Sequence, residues 1–282
     1  MRIDSHHHFW KYDEREYDWI DEGMAAIRRD FGPRDLKPLL KRHGFGGSVA
    51  VQVRQSLEEN EYLLGLAETN DFVRGVVGWV DLRSLSVRED LERFRAHPRF
   101  VGVRHIVQGE RDERFLLRED FLRGIGVLAE LDLTYDVLVY HHQLPAVLEF
   151  VPRFPEARLV LDHIAKPAIV NGELEPWAFA IRRLGRCENL FCKVSGMVTE
   201  SAFRKGRRVT KSDYAPYLEV VLEAFGPSRL LFGSDWPVAT VAGRYEEVLE
   251  IVTDWIAPLT SAEKERILGG NAIDFYRLEV PA

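Results

Sequence analysis

The feature that most restricts the fold is a recurrence of short, β-branched apolar runs along the whole chain. They lie at Arg2–Ser5, Gly47–Val53, Arg74–Val80, Phe100–His105, Thr134–Tyr140, Arg158–His163, Leu190–Val194 and Leu230–Gly233. Runs of this kind suit strands buried on both faces, as in a parallel sheet covered by helices. The intervening segments carry apolar residues at helical spacing and predict helices at Leu57–Glu68, Val87–Arg95, Phe121–Glu130, Leu144–Arg153, Pro176–Leu184, Tyr214–Ala224 and Glu246–Trp255. Eight strand runs alternating with helices predict an α/β fold, a (β/α)8 TIM barrel. No Pro/Gly/Ser linker divides the 282 residues, so residues 1–282 are expected to form one domain. The rival open doubly wound sheet usually carries a glycine-rich turn after its first strand, whereas here the first strand runs into histidines.

At this length a folded chain buries roughly 75% of the surface its unfolded form exposes, so the core needs no disulfide staple. Cys187 and Cys192 lack a second Cys/His pair at zinc-finger spacing and are expected to be buried, reduced thiols. A net charge of -7 argues against a nucleic-acid partner. The one basic run, Arg204 to Arg208, is expected to be a solvated loop that could help attract an anionic substrate. The start, MRIDSHHHFW, has no basic segment followed by a long apolar one, and no later stretch approaches the roughly 18 apolar residues of a membrane span. The expectation is a cytoplasmic protein acting on a small molecule, without a membrane partner; a homo-oligomer is left open.

A barrel concentrates chemistry at the C-terminal ends of its strands. The first run ends Asp4-Ser5-His6-His7-His8, and period-two alternation turns His6 and His8 to one side and His7 to the other. The sixth run ends in Asp162-His163 and the eighth leads to Asp235. His6, His8, His163 and Asp235 would make an N3O set suited to one divalent ion such as zinc. Taken singly, the sixth-run pair could be a helix cap with a core histidine, and Ser234-Asp235 a cap for the next helix. Arg104 on the fourth run can hold a carboxylate or polarise a carbonyl; Lys193 on the seventh can do either or pair with Asp235. Gln52, Trp79 and Tyr140 end the second, third and fifth runs, and with His105 and Trp236 they are candidate contacts for a hydroxylated ligand. Core packing is an equally fair reading of Trp79.

The motifs IDSHHHFW, VGWVDLR from Val77, GVRHIVQ from Gly102, YDVLVY and QLP from Tyr135, LVLDHIAKP from Leu159, CKVSGMVTE from Cys192 and LLFGSDWPV from Leu230 span nearly the whole chain. Together they resemble the amidohydrolase superfamily, specifically its sugar-lactonase branch, which contains L-fuconolactonase and L-rhamnonolactonase. The resemblance implies that His6 and His8 are the first-strand HxH pair, His163 the sixth-strand histidine and Asp235 the eighth-strand aspartate. Two-metal members use a bridging lysine and a fifth-strand histidine, but Arg104 and Tyr140 stand near those places and His141 and His142 follow too late. The resemblance therefore implies one metal, or none required for turnover.

Opening a sugar lactone needs a positioned water, a base, donors for the developing oxyanion and an acid for the ring oxygen. Asp235 suits the base and then the acid, while Arg104, His163, His6 and His8 are candidates to polarise the carbonyl, directly or through a metal. Gly233-Ser234-Asp235 lacks the second glycine of a serine nucleophile elbow, so water is the expected nucleophile. The competing functions are a metal-dependent decarboxylase of aromatic or unsaturated acids and a noncatalytic sugar-acid binding protein.

Overall fold

Parallel strands pair in chain order, each with the next: β1 (Arg2–His7), β2 (Phe45–Val51), β3 (Val73–Gly78), β4 (Phe100–His105), β5 (Thr134–Val137), β6 (Leu159–Leu161), β7 (Leu190–Val194) and β8 (Leu230–Phe232). The ring closes through residues just past β8. His7 bridges in parallel to Trp236, Asp235 N donates to His6 O at 2.8 Å, and Ser5 Oγ donates to Phe232 O at 2.7 Å. This computed structural model describes residues 1–203 and 209–280, and the basic run Arg204 to Arg208 lies outside the described residues.

Helices cover the outside: α1 (Pro33–Arg42), α2 (Leu57–Thr69), α3 (Val87–Arg95), α4 (Glu119–Glu130), α5 (Leu144–Phe150), α6 (Trp177–Leu184), α7 (Met197–Phe203), α8 (Lys211–Phe225) and α9 (Tyr245–Trp255), followed by α10 (Ser261–Glu265) and α11 (Asn271–Tyr276). The one domain and the (β/α)8 barrel are as the strand runs predict. Strands β4 and β7 have the expected bounds, but β5 stops at Val137 and β6 at Leu161, short of Tyr140 and His163. There the chain leaves its ladder and bends over the barrel mouth. The apolar runs did not locate α1, although Pro33 at its first turn and the Asp35 carboxylate accepting from Gly32 N at 3.0 Å are ordinary start signals. Among the described residues, no helix is long and apolar enough to cross a membrane.

One irregularity decides where the histidines point. Asp4 pairs with Ser48 but His7 pairs with Ala50, so β1 advances three residues while β2 advances two. A bulge of this kind resets the alternation of side chains. Ile3 can therefore join the interior cluster of Val51, Val77, Val160 and Leu231, plugged below by Phe275 and Tyr276 of α11, while His6 also faces inward. Of the two cysteines, Cys192 is buried as expected, but Cys187 is only half-buried; neither is in a disulfide.

Candidate active site

His6, His8, His163 and Asp235 converge at the C-terminal mouth. The His6 ring centre lies 5.0 Å from that of His8 and 4.5 Å from that of His163, and His8 Nε2 is 3.4 Å from Asp235 Oδ1. His7 faces away and bonds Ser48 Oγ through Nε2 at 2.9 Å. Gly233 lets this packing happen, since a Cβ there would sit 2.6 Å from His6 Cβ.

His163 reaches the mouth by an uncommon backbone path. His163, Ile164, Ala165 and Lys166 all have φ between 49° and 58°, forming a left-handed turn closed by Lys166 N donating to His163 O at 2.8 Å. Left-handed backbone costs roughly 1–2 kcal/mol per L-residue, and a β-branched residue such as Ile164 is especially unsuited to it. The turn is anchored by Trp177 Nε1 donating to Ile164 O at 2.7 Å. It projects His163 and Lys166, three residues apart, into the same cavity. Gly196, with φ of 68°, leaves the room His163 needs, because a Cβ would lie 2.5 Å from its Nδ1.

Below this rim lies a buried layer of charge, of which Arg104 also reaches the cavity. Arg104 Nη1 donates to Asp162 Oδ2 at 3.2 Å and lies 3.2 Å from His6 Nε2, while its Nη2 donates to Gln52 O. Lys193 Nζ is 2.5 Å from Asp136 Oδ2, 3.1 Å from Asp162 Oδ1 and 3.1 Å from His6 Nδ1. Tyr276 Oη donates to Asp136 at 2.9 Å. Burial is the largest influence on the three imidazoles and on the carboxyls of Asp136, Asp162 and Asp235. It holds the His6 imidazole well below its ordinary value, lowers His8, and brings His163 to about 3, so the three rings are neutral near pH 7. Burial opposes ionisation of Asp235, but attraction to the histidines around it in their protonated form, His163 first, outweighs it and holds the carboxyl below its ordinary range. Burial likewise opposes ionisation of Asp162, where Lys193 and then His6 prevail, and it lifts Asp136 to about 6 against the pull of Lys193.

A cavity of about 400 Å³ opens above the rim. Of the residues expected there, His8, His163, Asp235, Arg104 and Tyr140 line it, with His6 immediately beneath. Gln52, Trp79, His105, Lys193 and Trp236 do not line it. Alternation along β4 explains one of these, His105. His105 follows the inward Arg104 and so faces outward, against Phe115 and Glu110; Trp236 lies past the end of β8, after Asp235 with its φ of 57°, and packs against Phe31. Trp79 joins His105 through Nε1 at 3.3 Å, and Gln52 Nε2 donates to Arg104 O at 2.9 Å. Lys193 is level with Leu231, four residues short of Asp235, and so pairs with Asp136 and Asp162 rather than with Asp235. His141 Nδ1 bonds Lys166 O, and the His142 ring stacks on Tyr140.

The strand pattern gave no sign of four liners, Trp19 and Met24 from the loop after β1 and Thr199 and Glu200 from α7. Thr199 Oγ1 donates to Asp235 Oδ2 at 2.9 Å, and Glu200 Oε1 accepts from Lys166 Nζ at 2.7 Å.

The donors fit a divalent cation. Two buried groups, His6 with His8 and Asp235, and His6 with Asp162 and His163, each keep their ligand atoms within 4.8 Å of one another. The expected four-ligand set is thus divided into two groups sharing His6. His8 Nδ1 faces Val51 O at 2.8 Å, which makes it the protonated nitrogen and leaves the Nε2 lone pair toward Asp235 Oδ1. Two acceptors face to face at 3.4 Å suit a cation between them.

The Amidohydrolase family model matches residues 3–278. L-fucono-1,5-lactonase of Burkholderia multivorans is 41% identical over 290 aligned positions, covering 100% of this chain and 98% of the relative. The L-fucono-1,5-lactonase of Burkholderia ambifaria is 38% identical, covering 100% of this chain and 97% of the relative. A crystal structure of a Burkholderia multivorans amidohydrolase with bound zinc superposes with a TM-score of 0.95 at 41% identity, covering 99% of this chain and 100% of that one.

Proposed function

The chain belongs to the amidohydrolase family, and from that membership we propose that it is a lactonase opening a sugar-acid lactone of the L-fucono-1,5 type with water, Asp235 carrying the proton. Full-length similarity to two L-fucono-1,5-lactonases supports the substrate class. The observation that carries the chemistry is the Asp235 carboxylate lining the cavity, 3.4 Å from His8 and in the same cluster as His6, His163 and the Arg104 guanidinium.

Water attacks the lactone carbonyl as Asp235 Oδ1 takes its proton. The tetrahedral centre then expels the ring oxygen, which receives that proton from Asp235, and the product is the open aldonic acid, which releases its carboxyl proton to solvent as the aldonate. Arg104 donates to the carbonyl oxygen as negative charge develops on it, held in line by Asp162. His163 is kept neutral by burial and fixed through Nδ1 to Ser195 Oγ at 2.8 Å, so its Nε2 faces the reacting groups. His6 and His8, with Asp235 beside them, would hold one divalent ion, zinc by the nitrogen-rich donor set, which when bound supplies Lewis-acid polarisation of the carbonyl. We place the enzyme in the cytoplasm, where the unpaired Cys187 and Cys192 stay reduced.

The test is a pH-indicator hydrolysis screen of aldonolactones differing in configuration and ring size, with and without chelator. Turnover of 1,5-lactones supports the reading. Inactivity on every lactone, with carbon dioxide released from a carboxylated ring acid, replaces it with a decarboxylase.

A further inference from the structure

The cavity has a second polar wall that the hydrolytic step leaves unused. Lys166 and Glu200 stand there as an ion pair, Nζ to Oε1 at 2.7 Å, each side chain about 10% exposed. Both line the same cavity as Asp235, and the Lys166 ammonium lies 5.3 Å from the centre of the Tyr140 ring. Among the described residues, Glu200 is the one hydrogen-bond partner of Lys166 Nζ, and Glu200 Oε2 has none. An ammonium can only donate and a carboxylate can only accept, whereas a sugar hydroxyl does both. Two adjacent hydroxyls therefore match the pair: one accepts from Nζ, its neighbour donates to the carboxylate, and both bonds are charge-assisted.

The backbone gives this wall its place. The strained left-handed turn from His163 to Lys166 puts the imidazole and the ammonium on one side of the cavity, three residues apart. Thr199 and Glu200 are consecutive on α7, so one helix turn bonds Asp235 through Thr199 and Lys166 through Glu200. Reacting groups and ion pair are thereby tied to each other at two points.

We infer that Lys166 and Glu200 form the specificity-determining contact for vicinal hydroxyls of the lactone, selecting polyhydroxylated rings over bare ones. The inference deepens the proposed lactonase reading and rests on it for the identity of the ring. A site built to hydrogen-bond hydroxyls rejects analogues lacking them strongly, because its buried polar groups are then left unpaired.

The experiment compares kcat/KM on a polyhydroxylated aldono-1,5-lactone and on δ-valerolactone for wild type, Lys166→Met, Glu200→Gln and the double variant. Wild type should favour the hydroxylated ring by at least about 100-fold, and each single variant should cut that ratio at least about tenfold, chiefly through KM. The double variant should cost little more than either single one, as for groups acting together. A ratio equal to the wild-type ratio in both single variants, whatever their absolute activity, overturns the inference. Glu200→Gln preserves side-chain size and keeps the test open if Lys166→Met fails to fold. Calorimetric binding of the polyhydroxylated lactam, which needs no hydrolysis, separates the two readings. If wild type hydrolyses neither lactone the lactonase reading fails, and the ion pair is then judged by whether lactam affinity falls at least about tenfold in Glu200→Gln.

Discussion

Thr199 Oγ1 donates to Asp235 Oδ2 at 2.9 Å, so one carboxylate oxygen is committed to α7 and the other, Oδ1, is left toward His8 at 3.4 Å. The proposed proton carrier is thereby fixed in rotation. A hydrogen bond to a charged group contributes roughly 1.5–3 kcal/mol, so Thr199→Val should lower kcat by about 10-fold or more. KM should change little, and Thr199→Ser, which keeps the hydroxyl, should restore most of the rate. Steady-state kinetics of the two variants check this. Equal losses in both would mean that Thr199 acts through packing instead.

Asp235→Asn deletes the proton carrier while keeping side-chain size. General acid/base groups contribute about 10²–10⁴-fold in rate, and a loss in that range or larger is expected, with circular dichroism unchanged. Near-normal hydrolysis by the folded variant would remove Asp235 from the mechanism.

Arg104→Met should differ in kind. The guanidinium lines the cavity and is bonded to Asp162, so losing it removes a carbonyl donor and leaves a buried carboxylate short of a partner. Both kcat and kcat/KM should fall, and the unfolding midpoint should drop as well. Unchanged thermal unfolding with lowered turnover would show that Asp162 is satisfied by Lys193 alone.

The barrel was legible because eight apolar runs must all be buried, and parallel strands bury them on both faces. His6, His8 and Asp235 were legible because each lies within three residues of the end of a run. His105 was misplaced because alternation was applied to the first strand and not to the fourth, where it adjoins the inward Arg104 and so had to face outward; Trp236 follows Asp235, whose left-handed backbone past β8 leaves no mark on the apolar pattern. Lys166, Thr199 and Glu200 left no comparable sign. Lys166 reaches the cavity through a left-handed turn containing Ile164, a residue whose local preference opposes it, and only tertiary anchors such as Trp177 hold that path.

A metal count follows from Lys193. Its ammonium lies 3.1 Å from Asp162 Oδ1 and 3.1 Å from His6 Nδ1, so the donor group of His6, Asp162 and His163 already has a cation beside it. In the group of His6, His8 and Asp235 the Arg104 guanidinium reaches only His6, 3.2 Å from Nε2, and among the described residues no ion pair joins it to Asp235. Elemental analysis should therefore find one divalent ion per chain, and His8→Ala should lose it. Two equivalents in wild type, both needed for turnover, would contradict this.

Glu59 offers a pH test of the loop that carries a cavity wall. Its buried carboxyl accepts from Val53 N at 3.0 Å and Arg54 N at 2.5 Å, and Val53 lines the cavity. Burial raises its pKa from 4.5 to about 7, against the two backbone donors. Between those values the folded state keeps a proton that the unfolded chain has lost. The group's contribution to stability is thus whole below pH 4.5 and falls as pH rises toward about 7. At about 1.4 kcal/mol per pKa unit the change is roughly 3 kcal/mol. Glu59→Gln cannot ionise, so its unfolding free energy relative to wild type should rise by roughly that amount between pH 4.5 and pH 7.5. Taking the difference cancels the opposite trend of the buried histidines, which are neutral in the fold and destabilise it as pH drops below their unfolded value of 6.5. Urea unfolding of both proteins across that range gives the difference directly. Parallel curves would mean that Glu59 folds as a carboxylate, with the two backbone donors outweighing its burial.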